Sequence, residues 1–176
     1  MRTALIALSL SLIGSAAAAA DPTDPVKEVL KDTQDNWNTV DSDGKYIFDP
    51  DPLSRLYSKK FQTTYAEAAK HPAYDTENNK PGDPFGYDVI TSSQDGCPLQ
   101  DVTMKAAPAV NGVTDVTVTF KQWTCVDDAE VKNSVTEVHF DVIDENGKPV
   151  INDIHRLADG ERDSLVEEME SVAKGE

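Results

Sequence analysis

The chain has 176 residues, 32 of them acidic against 16 basic, for a net charge of −16, and 39% of its residues are hydrophobic. So negative a chain is excluded from binding nucleic acid or anionic membrane surfaces, while its length suits one domain with one core. A basic protein partner or a divalent cation remains compatible with the charge.

Met1-Arg2-Thr3 supplies a basic start, Ala4 to Ile13 is apolar apart from two serines, and Ala16 to Ala20 is a run of small residues. This is the pattern of a secretory signal peptide over residues 1–20, cut between Ala20 and Asp21. Its apolar part is about ten residues long, too short to span a bilayer. No cysteine lies near the cut to carry a lipid. The expected product is periplasmic or secreted, without stable membrane insertion, and forms a single α+β domain over residues 21–176 with a net charge of −17.

Asp24-Pro25 predicts a helix start, and Val26, Val29, Leu30, Thr33, Trp37 and Val40 follow at helical spacing. Asp41-Ser42-Asp43-Gly44 ends that helix. Asp51-Pro52 repeats the start signal before Leu53, Leu56 and Tyr57. A third helix carries Phe61, Tyr65, Ala68 and Ala69 and stops at His71-Pro72, because the residue before proline leaves the helical region. Residues 72–86, rich in proline and polar residues, form a long loop.

From Tyr87 the apolar period changes to two. A short strand is expected over Tyr87–Ile90. Val102, Met104 and Ala106 alternate opposite Val116, Val118 and Phe120, with Asn111-Gly112 between them. Val138, Phe140 and Val142 are followed by a turn at Glu145-Asn146-Gly147 and a strand through Val150, Ile151 and Ile154. After Asp159-Gly160, a short amphipathic helix carries Leu165, Val166, Met169 and Val172. Helices followed by antiparallel hairpins predict an α+β fold with the N-terminal helices packed on one sheet face.

Register locates the two cysteines. Matching the apolar faces of the first hairpin opposes Val102 to Phe120, Met104 to Val118 and Ala106 to Val116, each pair of indices summing to 222. A shift by one would send the two apolar sets to opposite faces. The loop is then Val110-Asn111-Gly112, three residues with glycine at the left-handed position. Cys97 and Cys125 share the same sum, so they face each other at the open end. In an exported chain this predicts a disulfide.

Asp41, Asp43 and Gly44 resemble part of a calcium loop, but aligning Gly44 with position six puts Pro50 where a bidentate glutamate is required. A looser acidic cation site involving Asp49 and Asp51 remains as an alternative to a helix-terminating turn. His71 falls at a helix end. His139 and His155 lie on the paired last strands, where an index sum of 294 opposes them and a sum of 292 does not. The pattern admits both registers. With Asp141 or Asp153 beside them, the two histidines have the composition of a metal or acid–base site, the plainer reading being polar residues on a solvated strand face. No G-x-S-x-G, H-E-x-x-H, P-loop or G-x-G-x-x-G occurs, so no cofactor and no metal is expected.

The order of helices, Asp83-Pro84-Phe85, Ser92-Ser93-Gln94-Asp95 and two hairpins ending in Ile151-Asn152-Asp153-Ile154 resembles a family of bacterial envelope proteins over roughly residues 25–156. That family is a domain of unknown function with a nuclear-transport-factor-2-like (cystatin-like) fold. The resemblance implies a curved sheet wrapped around the helices as a cone that holds a pocket, and it brings no catalytic residues. Asp83-Pro84-Phe85 and Gln94-Asp95 read as fixing the turn into the sheet rather than doing chemistry, since such pairs satisfy loop backbone groups.

Three functions follow as expectations. One is a non-catalytic envelope domain binding a protein or small ligand. Another is a small-molecule enzyme with Tyr65, His139, Asp141, Asp153 and His155 in the cone. The third is an acidic inhibitor or immunity protein for a basic partner.

Overall fold

The computed structural model describes residues 20–38, 44–158 and 160–176. The expected signal segment before Ala20, and the turn at residues 41–43, lie outside the described residues. Asp21 opens the first helix, its carboxylate accepting from the Thr23 N–H and from Lys27 Nζ, both at 2.9 Å. Helix α1 (Asp24–Asn38) buries Val26, Val29, Leu30 and Thr33. Helix α2 (Pro50–Leu56) places both its prolines in the first turn, where no N–H is needed. Helix α3 (Lys59–Ala68) starts at Ser58, whose Oγ accepts from the Phe61 N–H at 3.1 Å.

Strands β1 (Gln100–Ala106), β2 (Val113–Lys121), β3 (Thr136–Glu145), β4 (Lys148–Ala158) and β5 (Glu161–Arg162) form one curved antiparallel sheet in chain order. Two short helices complete the fold: α4 (Ala129–Lys132) between β2 and β3, and α5 (Leu165–Lys174) at the C-terminus. The architecture is α+β, as the change of period predicts. Val116, Val118, Phe120, Val138, Phe140, Val142, Ile151 and Ile154 make the buried sheet face. Phe48 sits among the rings above it, with centroids 5.3 Å from Tyr57, 5.6 Å from Phe61, 5.0 Å from Tyr65 and 5.9 Å from Phe85. The space between helices and sheet is therefore filled by aromatic core. Among the described residues no helix is long and apolar enough to cross a membrane.

Both hairpins turn on two residues. Asn111 and Gly112 have φ of 52° and 83°, and Asn146 and Gly147 have φ of 59° and 81°. Two left-handed residues in succession match the twist of paired strands. The first turn thus joins Val110 to Val113 directly, correcting the expected three-residue loop. The pairing slips by one across Pro108-Ala109, where proline has no N–H to donate, and Ala106 meets Val116 in the expected register. In the second hairpin the turn pairs Glu145 with Lys148. A bulge then separates the pair Val142–Ile151 from Asp141–Asp153, and His139 faces His155. Ile151 and Ile154 are both fully buried. Their spacing of three cannot be met by a regular strand, so the bulge at Asn152 is what returns Ile154 to the core face.

Tyr87–Ile90 is not a strand. Asp88 Oδ1 accepts from the Ile90 and Thr91 N–H groups at 2.9 and 3.0 Å, and this local turn outcompetes pairing. The cysteines are bridged, with S–S 2.04 Å and Cα–Cα 5.7 Å. Their alignment differs from the simple ladder: Asp101, at φ 53°, bulges β1, so Gln100 pairs with Lys121. The chain after Lys121 turns back through a Val126 N–H bond to Trp123 O, and Cys125 reaches Cys97 from that turn. Gly96 lets Trp37 pack on the bridge segment; a Cβ there would lie 2.5 Å from the indole.

Candidate functional site

The expected site residues fall in two places. His139, Asp141, Asp153 and His155 lie on the sheet face opposite the helices, since Val138, Phe140 and Ile154 beside them point into the core. Tyr65 lies on the helix side, packed against Phe48. The structure brings the first four together and separates them from the fifth. His71 is at the end of α3, exposed, its N–H bonded to Ala68 O.

Pairing places three aspartates side by side: Asp115 on β2, Asp141 on β3 and Asp153 on β4. Like charges opposed on one face repel. Each has its own nearest partner, and His155 Nε2 also lies 4.0 Å from Asp153 Oδ2. Arg162 Nη2 lies 2.8 Å from Asp115 Oδ2. His155 Nε2 lies 3.2 Å from Asp141 Oδ2. Ser164 Oγ donates to Asp153 Oδ2 at 2.6 Å, and the Val166 N–H to Oδ1 at 3.1 Å, at the start of α5.

The histidines differ in their partners. His155 has an acceptor at both nitrogens, Asp141 at Nε2 and the Asp163 carbonyl at Nδ1 (2.5 Å). The Asp141 hydrogen bond, with the Asp163 carbonyl and the aspartate charges, outweighs burial and raises the ring to about 9. At His139, Nδ1 lies 2.6 Å from Arg162 Nη2 and 2.9 Å from Asp115 Oδ1, and Nε2 lies 2.9 Å from Glu137 Oε1. Arg162 covers the ring, and His139 is only 5% exposed. The cluster is mutually satisfied, and no recess described below is lined by its four predicted residues.

A cleft of about 260 Å³ opens elsewhere, between the Lys45-Tyr46-Ile47 segment and the loop of residues 83–89. Tyr46 and Tyr87 form its walls, Phe85, nearly buried, its base, and exposed Tyr74 its rim. Asp83 Oδ1 accepts from the Tyr46 hydroxyl at 2.5 Å and from the Phe85 N–H at 2.9 Å. Its Oδ2 accepts no hydrogen bond among the described residues. Burial raises the Asp83 carboxyl above its usual range, against the pull of those two bonds. Burial likewise raises Tyr46 and Tyr65, both packed against Phe48. Gln94 Nε2 donates to Gly86 O and, at 3.2 Å, to the Tyr74 hydroxyl, fixing the rim.

Arg156 ties this loop to the sheet. Its guanidinium bonds Asp163 and Glu168, donates to the Tyr87 hydroxyl, and lies 5.4 Å from the Tyr87 ring centroid. Burial, with the bond to Glu168, pushes the Tyr87 hydroxyl up to about 12.

Sequence reasoning found Tyr65 and the Asp83-Pro84-Phe85 motif but did not join them. Tyr46, their link, carried no motif signal. Among the described residues, no group of three or more His, Cys, Asp or Glu side chains is arranged to hold a metal ion. No family model matches this chain, and neither a curated protein nor a solved structure matches it.

Proposed function

We propose that the protein is an exported, non-catalytic binding domain of the bacterial envelope whose ligand enters the cleft between Tyr46 and Asp83. One observation carries this reading: a half-buried carboxylate, Asp83, whose Oδ2 accepts no hydrogen bond among the described residues, in a cleft lined by aromatic side chains. Such a site combines apolar walls with a polar group that fixes orientation. Its volume, just under the range of roughly 300–1,000 Å³ for drug-sized ligands, limits the occupant to a small molecule. Chemistry at neutral pH needs groups that exchange protons there. Tyr46 and Tyr65, raised by burial, keep theirs. The histidines and aspartates of the outer face are committed to each other.

Amide NMR of the disulfide-bonded protein with a library of small soluble fragments tests the reading. Fragment-induced shifts are expected to concentrate in residues 45–47 and 83–89. Shifts concentrated around His139 and His155 instead would move the ligand site to the outer face and revive the enzyme.

A further inference from the structure

We infer that the cleft is a site for a small organic cation, an alkylammonium or quaternary ammonium group, held by Asp83 against aromatic rings. The inference rests on reading the cleft as the ligand site and adds the ligand's chemistry. Tyr46, Tyr74, Phe85 and Tyr87 present aromatic surface there, and a ring face attracts a cation within about 6 Å of its centroid. The molecule already uses the interaction once at this wall, where Arg156 sits over Tyr87. Among the described residues Tyr46, Tyr74 and Phe85 carry no such partner.

The carboxylates differ in what they have left to offer. Asp88, also lining the cleft, is spent: Oδ1 accepts from two backbone N–H groups and Oδ2 from Trp37 Nε1 at 3.0 Å. Asp83 Oδ2 accepts no hydrogen bond among the described residues and lies in the cleft that the rings line. A bound cation supplies the charge that burial denies this carboxylate, and an anion meets a repulsive field.

That field extends beyond the cleft. The adjoining recess shares Lys45 and Tyr46 with it and is lined by Glu28, Asp32, Asp49 and Asp51. Lys45 and Arg55 are the cations there, and both are engaged. Lys45 Nζ bonds Asp32 at 3.1 Å, while Arg55 bonds Glu28 and, at 3.2 Å, Asp51. Negative potential concentrated in a low-dielectric cleft raises the local concentration of cations. Asp49 and Asp51, which the sequence marked as a loose acidic cation site, belong to that field.

The test compares two cations with neutral analogues of the same shape: choline against 3,3-dimethylbutan-1-ol, and n-butylammonium against butan-1-ol. Each is titrated by calorimetry and amide NMR into the wild type and into Asp83→Asn. The asparagine keeps an oxygen for Tyr46 and the Phe85 N–H, so the turn is preserved, and its amide spectrum reports the fold. At least one cation is expected to bind saturably in residues 45–47 and 83–89, at least tenfold tighter than its analogue. Asp83→Asn is expected to erase that margin and leave the alcohols unchanged. Alcohols binding in the cleft as well as the cations would overturn the cation class and leave the binding domain standing. Cations binding equally to Asp83→Asn would also overturn it. If neither cations nor alcohols shift the cleft amides, the cation site falls; if the fragment library leaves them unmoved too, the cleft itself falls as a ligand site.

Discussion

Replacing Cys97 and Cys125 together with serine is expected to destabilise the protein by about 3.5 kcal/mol, the chain-entropy cost of releasing a loop of this length. For a domain of this size that corresponds to a melting temperature lower by roughly 10 °C. The bridge joins two irregular segments that no strand ladder holds. Cys97 is tied to the sheet by its N–H bond to Gln122 O at 2.8 Å, and Cys125 donates its N–H toward Cys97 Sγ at 2.9 Å. Trp37, packed over Gly96, links the same segment to α1, and its indole bonds Asp88 at the cleft. Loss of the bridge is therefore expected to loosen one wall of the cleft before the sheet. Denaturant unfolding of both forms checks the magnitude; a difference under about 1 kcal/mol would show that these contacts hold the segment without the bridge.

The second large effect is on pH dependence. His155 titrates near 9 in the fold against 6.5 when free, because its proton is shared with Asp141. A pKa raised by folding contributes stability fully below 6.5, loses it progressively as pH rises, and contributes nothing above about 9. The ring is largely enclosed, so the contribution is on the order of 3 kcal/mol. That loss is the loss of the counter-charge for Asp141, which lies between Asp115 and Asp153 in the row. His155→Gln is expected to be less stable than wild type at pH 6 and equal to it near pH 9.5. Stability curves that stay parallel between those values would contradict the assignment of Asp141 as its partner.

Much of this fold was legible because burial alternates cleanly. Val116, Val118 and Phe120, like Val138, Phe140 and Val142, mark one buried face, and that face sets the β1–β2 register from Thr103 to Ala106. The cysteine pairing followed from it, although the bulge at Asp101 changed how the pair is reached. The bulges themselves were written less openly. An Asn-Gly turn fixes an odd index sum at each hairpin tip, while the apolar faces further out require an even one. The two agree only if a residue is inserted, as at Asn152. The α4 and β5 elements span four and two residues, too few to show a period.

The candidate site was legible only in pieces. Period two identifies a shared strand face, and His139, Asp141, Asp153 and His155 do share one. It does not say which face the helices cover; the neighbours Val138, Phe140 and Ile154 carried that information. The cleft depends on loop residues far apart in sequence, Tyr46 meeting Asp83 and Trp37 meeting Asp88. Asp83-Pro84-Phe85 was noticed as a turn motif, and it is one. Its second oxygen is what points to a ligand, and only the tertiary packing of Tyr46 exposes that difference.

The most direct test is a crystal structure of the disulfide-bonded protein grown with choline. The trimethylammonium group is expected within about 6 Å of the Tyr46 or Tyr74 ring centroid, beside Asp83 Oδ2, with the Asp115-Asp141-Asp153 row unchanged. An empty cleft with the cation seated against that row would contradict the division of the molecule into a structural outer face and a binding cleft.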